Sequence, residues 1–328
     1  MKTALILGIS GQDGAYLARF LLEKGYRVVG GSRDAQITPF SNLIQLGIRD
    51  RITLESVSLN DFRSVIQILK KIQPDEIYNL AGQSSVGLSF EQPVETLESI
   101  TFGALNLLEA IRFNGQPTKL YNAGSSECFG NLSDAPADEL TPFRPRSPYG
   151  VAKAAAFWEV ANYRDAYGLF ACSGILFNHE SPLRPARFVT RKVVSTACRI
   201  AAGSGETLEL GDLSIARDWG WAPEYVEAMW LMLQQASPHD FVIATGQTCS
   251  LQEFVEAAFM RLGLDWRAHV KTSAGISRPN ELVASHANPE KAHLLLGWKA
   301  KHRMPDVVGM MVDAEPGSER EFPASARK

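Results

Sequence analysis

The stretch from residue 4 to residue 25 limits the fold more than any other. Ala4 to Leu7 is a continuous apolar run, the mark of a strand buried on both faces in a parallel sheet. Gly8, Gly11 and Gly14 follow as Gly-x-x-Gly-x-x-Gly, and a helix is expected from about Ala15 to Lys24, stopped at Gly25. Glycines directly between strand and helix allow a tight turn and a close approach of backbone amides to a pyrophosphate at the helix N-terminus. Gly8, Gly11, Gln12, Asp13 and Gly14 are therefore dinucleotide-binding candidates.

The pattern then repeats. Strands are expected at Arg27 to Gly30, Ile52 to Val57, Glu76 to Leu80, Lys119 to Ala123 and Ala171 to Leu176. Helices are expected at Ser64 to Ile72, Glu95 to Phe113 and Tyr149 to Tyr167. Strand alternating with helix predicts an α/β fold with a doubly wound parallel sheet. Ligands of such sheets bind beyond the carboxyl ends of the strands, where the glycine loop, the segment Leu80 to Ser84 and Ser125-Ser126-Glu127 should meet.

Beyond Asn178 the pattern loosens. Asn178 to Thr190 reads as a loop with Pro182 and Pro185, followed by a helix from about Arg191 to Ala202. Short strands are expected at Leu208 to Leu210, Phe241 to Ala244 and Ala268 to Val270, and helices at Tyr225 to Gln235 and Leu251 to Leu262. With 328 residues, two joined lobes are expected. Residues 1–177 form a dinucleotide-binding domain and 178–314 a smaller mixed substrate lobe, interleaved because about 238–250 can return to the main sheet. Trp219, Trp221 and Trp230 are expected in the lobe core, and residues 315–328, polar and rich in Pro, Ser, Glu and Arg, as a disordered tail.

Composition excludes several classes. With 33 basic and 36 acidic side chains the net charge is -3, which gives no general case for nucleic acid or an anionic membrane as partner. Cys128, Cys172, Cys198 and Cys249 are scattered, without zinc spacing, so no metal is expected and the thiols suit a reducing cytoplasm. The apolar start is too short for a membrane span and reads as a first strand rather than a signal sequence.

Tyr149 and Lys153 stand four residues apart, on one face of a helix. A phenol, with a reference pKa of about 10, is a poor base at neutral pH. A lysine ammonium beside it is expected to pull that value down, fitting the tyrosine to take a proton from a sugar hydroxyl while hydride leaves the same carbon. At the end of the second strand, Ser32-Arg33-Asp34 puts a basic residue where a 2′-phosphate would lie, favouring NADP, while Asp34 keeps NAD as the alternative.

These features converge on a family. The chain resembles the extended short-chain dehydrogenase/reductases and, within them, the GDP-mannose 4,6-dehydratases, from Gly8 to about Lys301. The resemblance rests on Gly11-Gln12-Asp13-Gly14, Asn79 to Ser84, Ser125-Ser126-Glu127, Arg144 to Tyr149, Leu176 to Pro182, Val189 to Lys192 and Arg217-Asp218-Trp219-Gly220. It implies an internal redox cycle with Tyr149 as the base at C4 and Glu127 as the base at C5. Water leaves across C5 and C6, and hydride returns to C6. Ser125 would bond the C4 oxygen, Ser126 is a weaker candidate near C6, and Lys153 would hold the nicotinamide ribose. Leu59, Leu80, Ala81 and Gln83 join the cofactor candidates. Ser84, Asn178, Arg184, Arg191, Lys192, Arg217, Arg278 and Glu281 are the substrate candidates, arginine suiting a diphosphate through its planar fork. His179 is expected to be structural. A homodimer is implied, with a homotetramer as the alternative.

The chain departs from the family pattern at Ser58, where Asp is usual, in having one basic residue after the second strand, at Ser125 for Thr, and at Phe129 for Tyr, expected to alter the pocket wall. These leave a GDP-manno-heptose as an alternative substrate. Also open are a C4 epimerase or reductase and a catalytically silent dinucleotide sensor.

Overall fold

The computed structural model describes residues 1–132, 135–273, 275, 276 and 278–315. Twelve strands are present among the described residues: β1 Thr3–Leu7, β2 Arg27–Ser32, β3 Thr53–Ser56, β4 Glu76–Asn79, β5 Lys119–Ala123, β6 Ala171–Leu176, β7 Asn178–Glu180, β8 Leu208–Leu210, β9 Ala216–Trp221, β10 Phe241–Ile243, β11 Thr248–Ser250 and β12 Val270–Thr272. Seven form one sheet in the order β10-β6-β5-β4-β1-β2-β3, every pair parallel. The chain runs outward from β1 to β3 on one side and from β4 to β10 on the other. The switch between β1 and β4 opens the crevice in which such sheets bind ligands.

Both faces of the sheet are covered, and the central strand β1, Thr-Ala-Leu-Ile-Leu, accordingly reads as an apolar run. One face packs Ala4, Ile6, Tyr78 and Tyr121 against Leu17 and Leu21 of the helix Gln12–Glu23 and Met229 and Leu233 of the helix Ala222–Gln234. The other packs Leu5, Ile77 and Leu120 against Ile68, Leu108 and Val160 of the helices Phe62–Ile72, Gly103–Asn114 and Pro148–Tyr167. The expected helix Glu95 to Phe113 begins at Pro93 and carries a π-helical turn, Glu98–Phe102. There Ser99 Oγ accepts the Gln83 amide at 3.2 Å, tying the helix to the loop after β4. Such widened turns are frequent at functional sites.

The region after Asn178 differs most from expectation. The expected loop contains β7, which runs parallel to β9 with Asn178 opposite Trp219, and β11 completes a three-stranded sheet. Both β7 (Asn-His-Glu) and β9 (Ala-Arg-Asp-Trp-Gly-Trp) are too short or too polar to show a strand period. β12 starts at Val270 rather than Ala268 because Asp265 caps a 3₁₀ turn at Trp266–Ala268. Trp219 packs on Phe254 in the lobe core, with Trp221 partly buried beside it. Trp230 corrects the expectation: it packs on Phe20 of the first helix, at 5.7 Å between ring centroids, because its helix lies on the main sheet. β10 pairs with β6 as the last strand of the main sheet. After Glu290 the chain returns Ala292, Leu296 and Trp298 to that sheet's core before the helix Met304–Asp313 enters the lobe. Of the expected tail, residues 316–328 lie outside the described residues. No described helix is long and apolar enough to cross a membrane.

Candidate active site

The glycine loop is shaped by contacts that admit no side chain. Gly8 has φ +85°, and a Cβ there would stand 2.7 Å from the Leu80 carbonyl oxygen. A Cβ on Gly14 would strike the Gly8 carbonyl and lie 2.8 Å from Ile9 Cα. Gly11 is the N-cap of the helix Gln12–Glu23 and makes no side-chain cap, so first-turn amides remain for an anion. A cradle closed to Cβ atoms beneath an uncapped helix end suits a pyrophosphate. Gln12 and Asp13, in contrast, direct their side chains to β7 and the residue after it: Gln12 to the His179 carbonyl and Ser181, and Asp13 to His179 Nε2.

At the end of β2 the Arg33 side chain is 89% exposed, 3.9 Å from Glu95. Asp34 caps its own turn, accepting from the amides of Gln36 at 2.9 Å and Ile37 at 3.2 Å. Leu59 is buried and packs at Gly103, its carbonyl accepting from Asn106 Nδ2 at 2.7 Å. Leu80 and Ala81 lie against the glycine loop. Gln83 is fixed by Ser85 and Thr96, and Ser84 Oγ accepts from Arg187 at 3.3 Å.

β5 delivers the next group. Ser125 is extended and its Oγ accepts the Glu127 amide at 3.3 Å, opening the 3₁₀ turn Ser126–Cys128 in which Ser126 is buried. The helix Pro148–Tyr167 starts beside that turn: Ser147 Oγ accepts the Gly150 amide at 3.0 Å, and Pro148 sits in the first turn. A Cβ on Gly150 would lie 2.8 Å from the Glu127 carbonyl oxygen, so the helix start and the Glu127 turn touch backbone to backbone. Tyr149, one residue earlier, is thereby held over Ser125 and Glu127.

The charges differ from the simple expectation. Burial pushes the Tyr149 phenol above its usual range, opposed by its hydrogen bond with Ser125. Lys153 does not dominate Tyr149, because its Nζ donates to the Ala123 carbonyl at 2.7 Å and stands 5.7 Å from the phenol ring centroid. Burial also pushes Lys153 itself down to about 8. Glu127 is pushed up by burial, against the attraction of Arg217 and Arg278.

Those arginines come from distant segments. Arg217 in β9 is buried, its Nη2 3.0 Å from Glu281 Oε1, and Arg278 Nη1 reaches the same oxygen at 3.5 Å. Glu127, Arg217, Arg278 and Glu281 thus form one cluster. Asn178 opens β7 nearby, across from Trp219. Arg184 stacks on Phe188 at 3.8 Å and pairs with Glu180 at 3.0 Å, and its charge reaches Tyr149 and Asp13. Two candidates are turned elsewhere: Arg191 meets Glu315, and Lys192 Nζ donates to the Glu209 carbonyl at 2.6 Å. Phe129 is buried, its ring packed against those of Phe143 and Phe177.

Glu180 was missed from the sequence. It is buried, accepting from Thr190 Oγ1 at 2.6 Å as well as Arg184, and its i,i+4 spacing to Arg184 was the available signal. Asp218 was missed likewise. It accepts the amides of Thr245, Gly246 and Gln247, binding the loop after β10 to the strand of Arg217, and burial lifts it to about 6. Cys128, Cys172 and Cys249 are buried thiols. Among the described residues no three His, Cys, Asp or Glu side chains are grouped to hold a metal ion.

The chain is 46% identical to GDP-mannose 4,6 dehydratase 1 of Arabidopsis thaliana, covering 96% of this chain and 90% of that one. It is 42% identical to the GDP-mannose 4,6-dehydratase of Yersinia enterocolitica, covering 95% and 93%. Among solved structures, the Thermus thermophilus UDP-glucose 4-epimerase complex with NAD superposes with a TM-score of 0.82 at 27% identity, covering 95% and 98%. A dTDP-glucose 4,6-dehydratase from Streptomyces venezuelae reaches 0.85 at 21%, covering 94% and 95%, a likeness of fold. The family described as GDP-mannose 4,6 dehydratase matches residues 5–311, and the chain belongs to that family.

Proposed function

We propose that the protein converts GDP-mannose to the GDP-4-keto-6-deoxy sugar, with NADP at the glycine loop. The observation that carries this reading is the contact of the Glu127 turn with the start of the Tyr149 helix, which gives one site a C4 base and a C5 base. A dinucleotide held by the glycine loop would supply the hydride acceptor for C4 and the hydride donor for C6. Tyr149 takes the C4 hydroxyl proton as its phenolate, the form that its hydrogen bond with Ser125 favours against the burial that disfavours it, and Ser125 also orients the C4 oxygen. The 4-ketone acidifies C5, and Glu127 removes the C5 proton. Its raised pKa makes it a stronger base than an exposed carboxylate and a ready donor to the departing C6 hydroxyl. A plain C4 epimerase needs no such carboxylate.

Arg217 and Arg278 would hold the diphosphate, exchanging part of their contact with Glu281 for it. Residues 1–177 serve the dinucleotide and 178–314 mainly the GDP-sugar. The self-capped Asp34 leaves Arg33 as the group for a 2′-phosphate, which favours NADP over NAD. Val94, Phe102, Val151 and Trp158 are exposed apolar side chains on adjoining helices, which supports a homodimer through that face.

Purified protein incubated with GDP-mannose should give the 4-keto-6-deoxy product. Turnover of a GDP-manno-heptose alone would sink the mannose assignment and keep the mechanism. Glu127→Gln should slow water loss by about 10²–10⁴-fold while leaving C4 oxidation partly intact. Solvent deuterium entering C5 of that variant at the wild-type rate would remove Glu127 as the base. Arg33→Ala should weaken NADP about tenfold and leave NAD unchanged.

A further inference from the structure

The glycine loop and the segment beyond β6 are joined by a buried polar knot whose protonation follows from its geometry. His179 Nδ1 stands 2.7 Å from the Phe177 carbonyl oxygen, and Nε2 stands 2.9 Å from Asp13 Oδ2. A carbonyl oxygen and an ionised carboxylate only accept, so both ring nitrogens donate, and a ring donating twice is an imidazolium. The other Asp13 oxygen accepts from Gln12 Nε2 at 3.0 Å, which also donates to the His179 carbonyl at 3.2 Å. Ser181 Oγ donates to Gln12 Oε1 at 2.7 Å and accepts the Leu183 amide at 3.1 Å. Tyr225 stacks on the imidazole, with centroids 4.5 Å apart and planes at 21°.

We propose that His179 is a positioning residue acting as a fixed buried cation. It neutralises Asp13 in the first turn of the helix Gln12–Glu23, so that turn can receive a pyrophosphate, and it fastens the glycine loop to the segment bearing Asn178 and Arg184. Unneutralised, Asp13 would set a negative charge at the helix end that the anion must approach. The anion half of this rests on the dinucleotide reading above; the clamp does not.

The groups facing the ring are Asp13 from the first helix, Arg184 from the loop after β7 and the Tyr225 phenol from the helix Ala222–Gln234. Burial opposes charge on His179, as does Arg184, but Asp13 outweighs both and lifts its pKa above the usual value. Burial likewise works against the Asp13 carboxylate, but His179 holds it down at about 2. The stability His179 contributes is therefore complete below its unfolded pKa, about 6.5, and is lost as pH rises through the raised folded value. That of Asp13 is complete above about 3.9 and is lost as pH falls through its depressed value.

Nitrogen-15 NMR of the imidazoles in cofactor-free protein at neutral pH, with His179 assigned through its contact with Tyr225, should show both nitrogens protonated. A neutral ring there overturns the proposal whether or not any dinucleotide binds. NADPH affinity, read by its fluorescence, should hold at low pH and fall as pH passes the His179 titration seen by NMR. His179→Gln should weaken NADPH about tenfold, and adding Asp13→Asn should restore most of the loss, since no charge then needs neutralising. Equal losses in the single and double variants would reduce His179 to packing and overturn the anion half. A wild-type chain that binds no dinucleotide overturns the functional reading and that half together, while the NMR result still decides the clamp.

Discussion

At the glycine loop the working groups are backbone amides, and at the arginine cluster they are side chains brought from three distant segments. The loop is one short run of residues whose shape is enforced by what cannot fit: a Cβ on Gly8 or Gly14 would meet main-chain atoms that cannot move aside. The cluster is enforced by attraction. Arg217 is buried and paired with the partly exposed Glu281, and Arg217 and Arg278 both attract Glu127. Steric sites fail abruptly and electrostatic ones by degrees, so substitutions in the two regions should leave different signatures.

The largest effect belongs to the loop. Gly14→Ala should cost about 3 kcal/mol or more by thermal unfolding and abolish dinucleotide binding, because its Cβ meets backbone. Gly11→Ala, whose nearest atom is 3.4 Å away, should stay within about 1 kcal/mol. Equal losses from the two would break the steric account. At the cluster, Arg217→Ala removes the buried guanidinium paired with the partly exposed Glu281 and should raise KM for the sugar nucleotide on the order of 100-fold with a smaller change in stability. Arg191→Ala, already engaged by Glu315, should change KM less than about threefold; a tenfold rise would mean that Glu315 yields Arg191 to substrate.

The smallest effect runs in the opposite direction. The folded pKa of Lys153, about 8, lies below its unfolded value of about 10.4, so between the two the unfolded chain binds more protons and stability rises with pH. Lys153→Met removes that penalty but also the bond to Ala123, leaving a net gain of about 1 kcal/mol near pH 7 and a flatter stability profile, with activity lost. Unfolding followed from pH 7 to 10 would check it, and a destabilised, unflattened variant would contradict it.

The same contrast explains what could be read from residues alone. β1 was legible because burial on both faces writes itself as an unbroken apolar run, β4, β5 and β6 through their alternation with helices, and Gly8 and Gly14 because a steric rule leaves one residue type at each close approach. Tyr149 and Glu127 were legible as chemistry, but their contact depends on Gly150 meeting the Glu127 carbonyl, which has no local signature. β7 and β9 were not legible: each is stabilised by the other across the chain, and their short, polar sequences show no strand period. The knot of Gln12, Asp13, His179 and Ser181 has the same origin, since its partners lie more than 160 positions apart. Trp230 was misplaced because its helix follows the lobe in sequence and the sheet in space.

The place of β10 bears on how the chain is made. Its partner β6 is complete at Leu176, but the strand that covers that edge ends only at Ile243, after β7, β8 and β9 and the helix Ala222–Gln234 have been synthesised. On the ribosome, β6 therefore waits with one row of amides and carbonyls unpaired, an invitation to foreign strands. Once β10 docks, Glu139 takes the Val242 amide at 2.7 Å and the margin is closed. A nascent chain halted between residues 180 and 240 should thus be the species most dependent on chaperones, and the finished enzyme among the least.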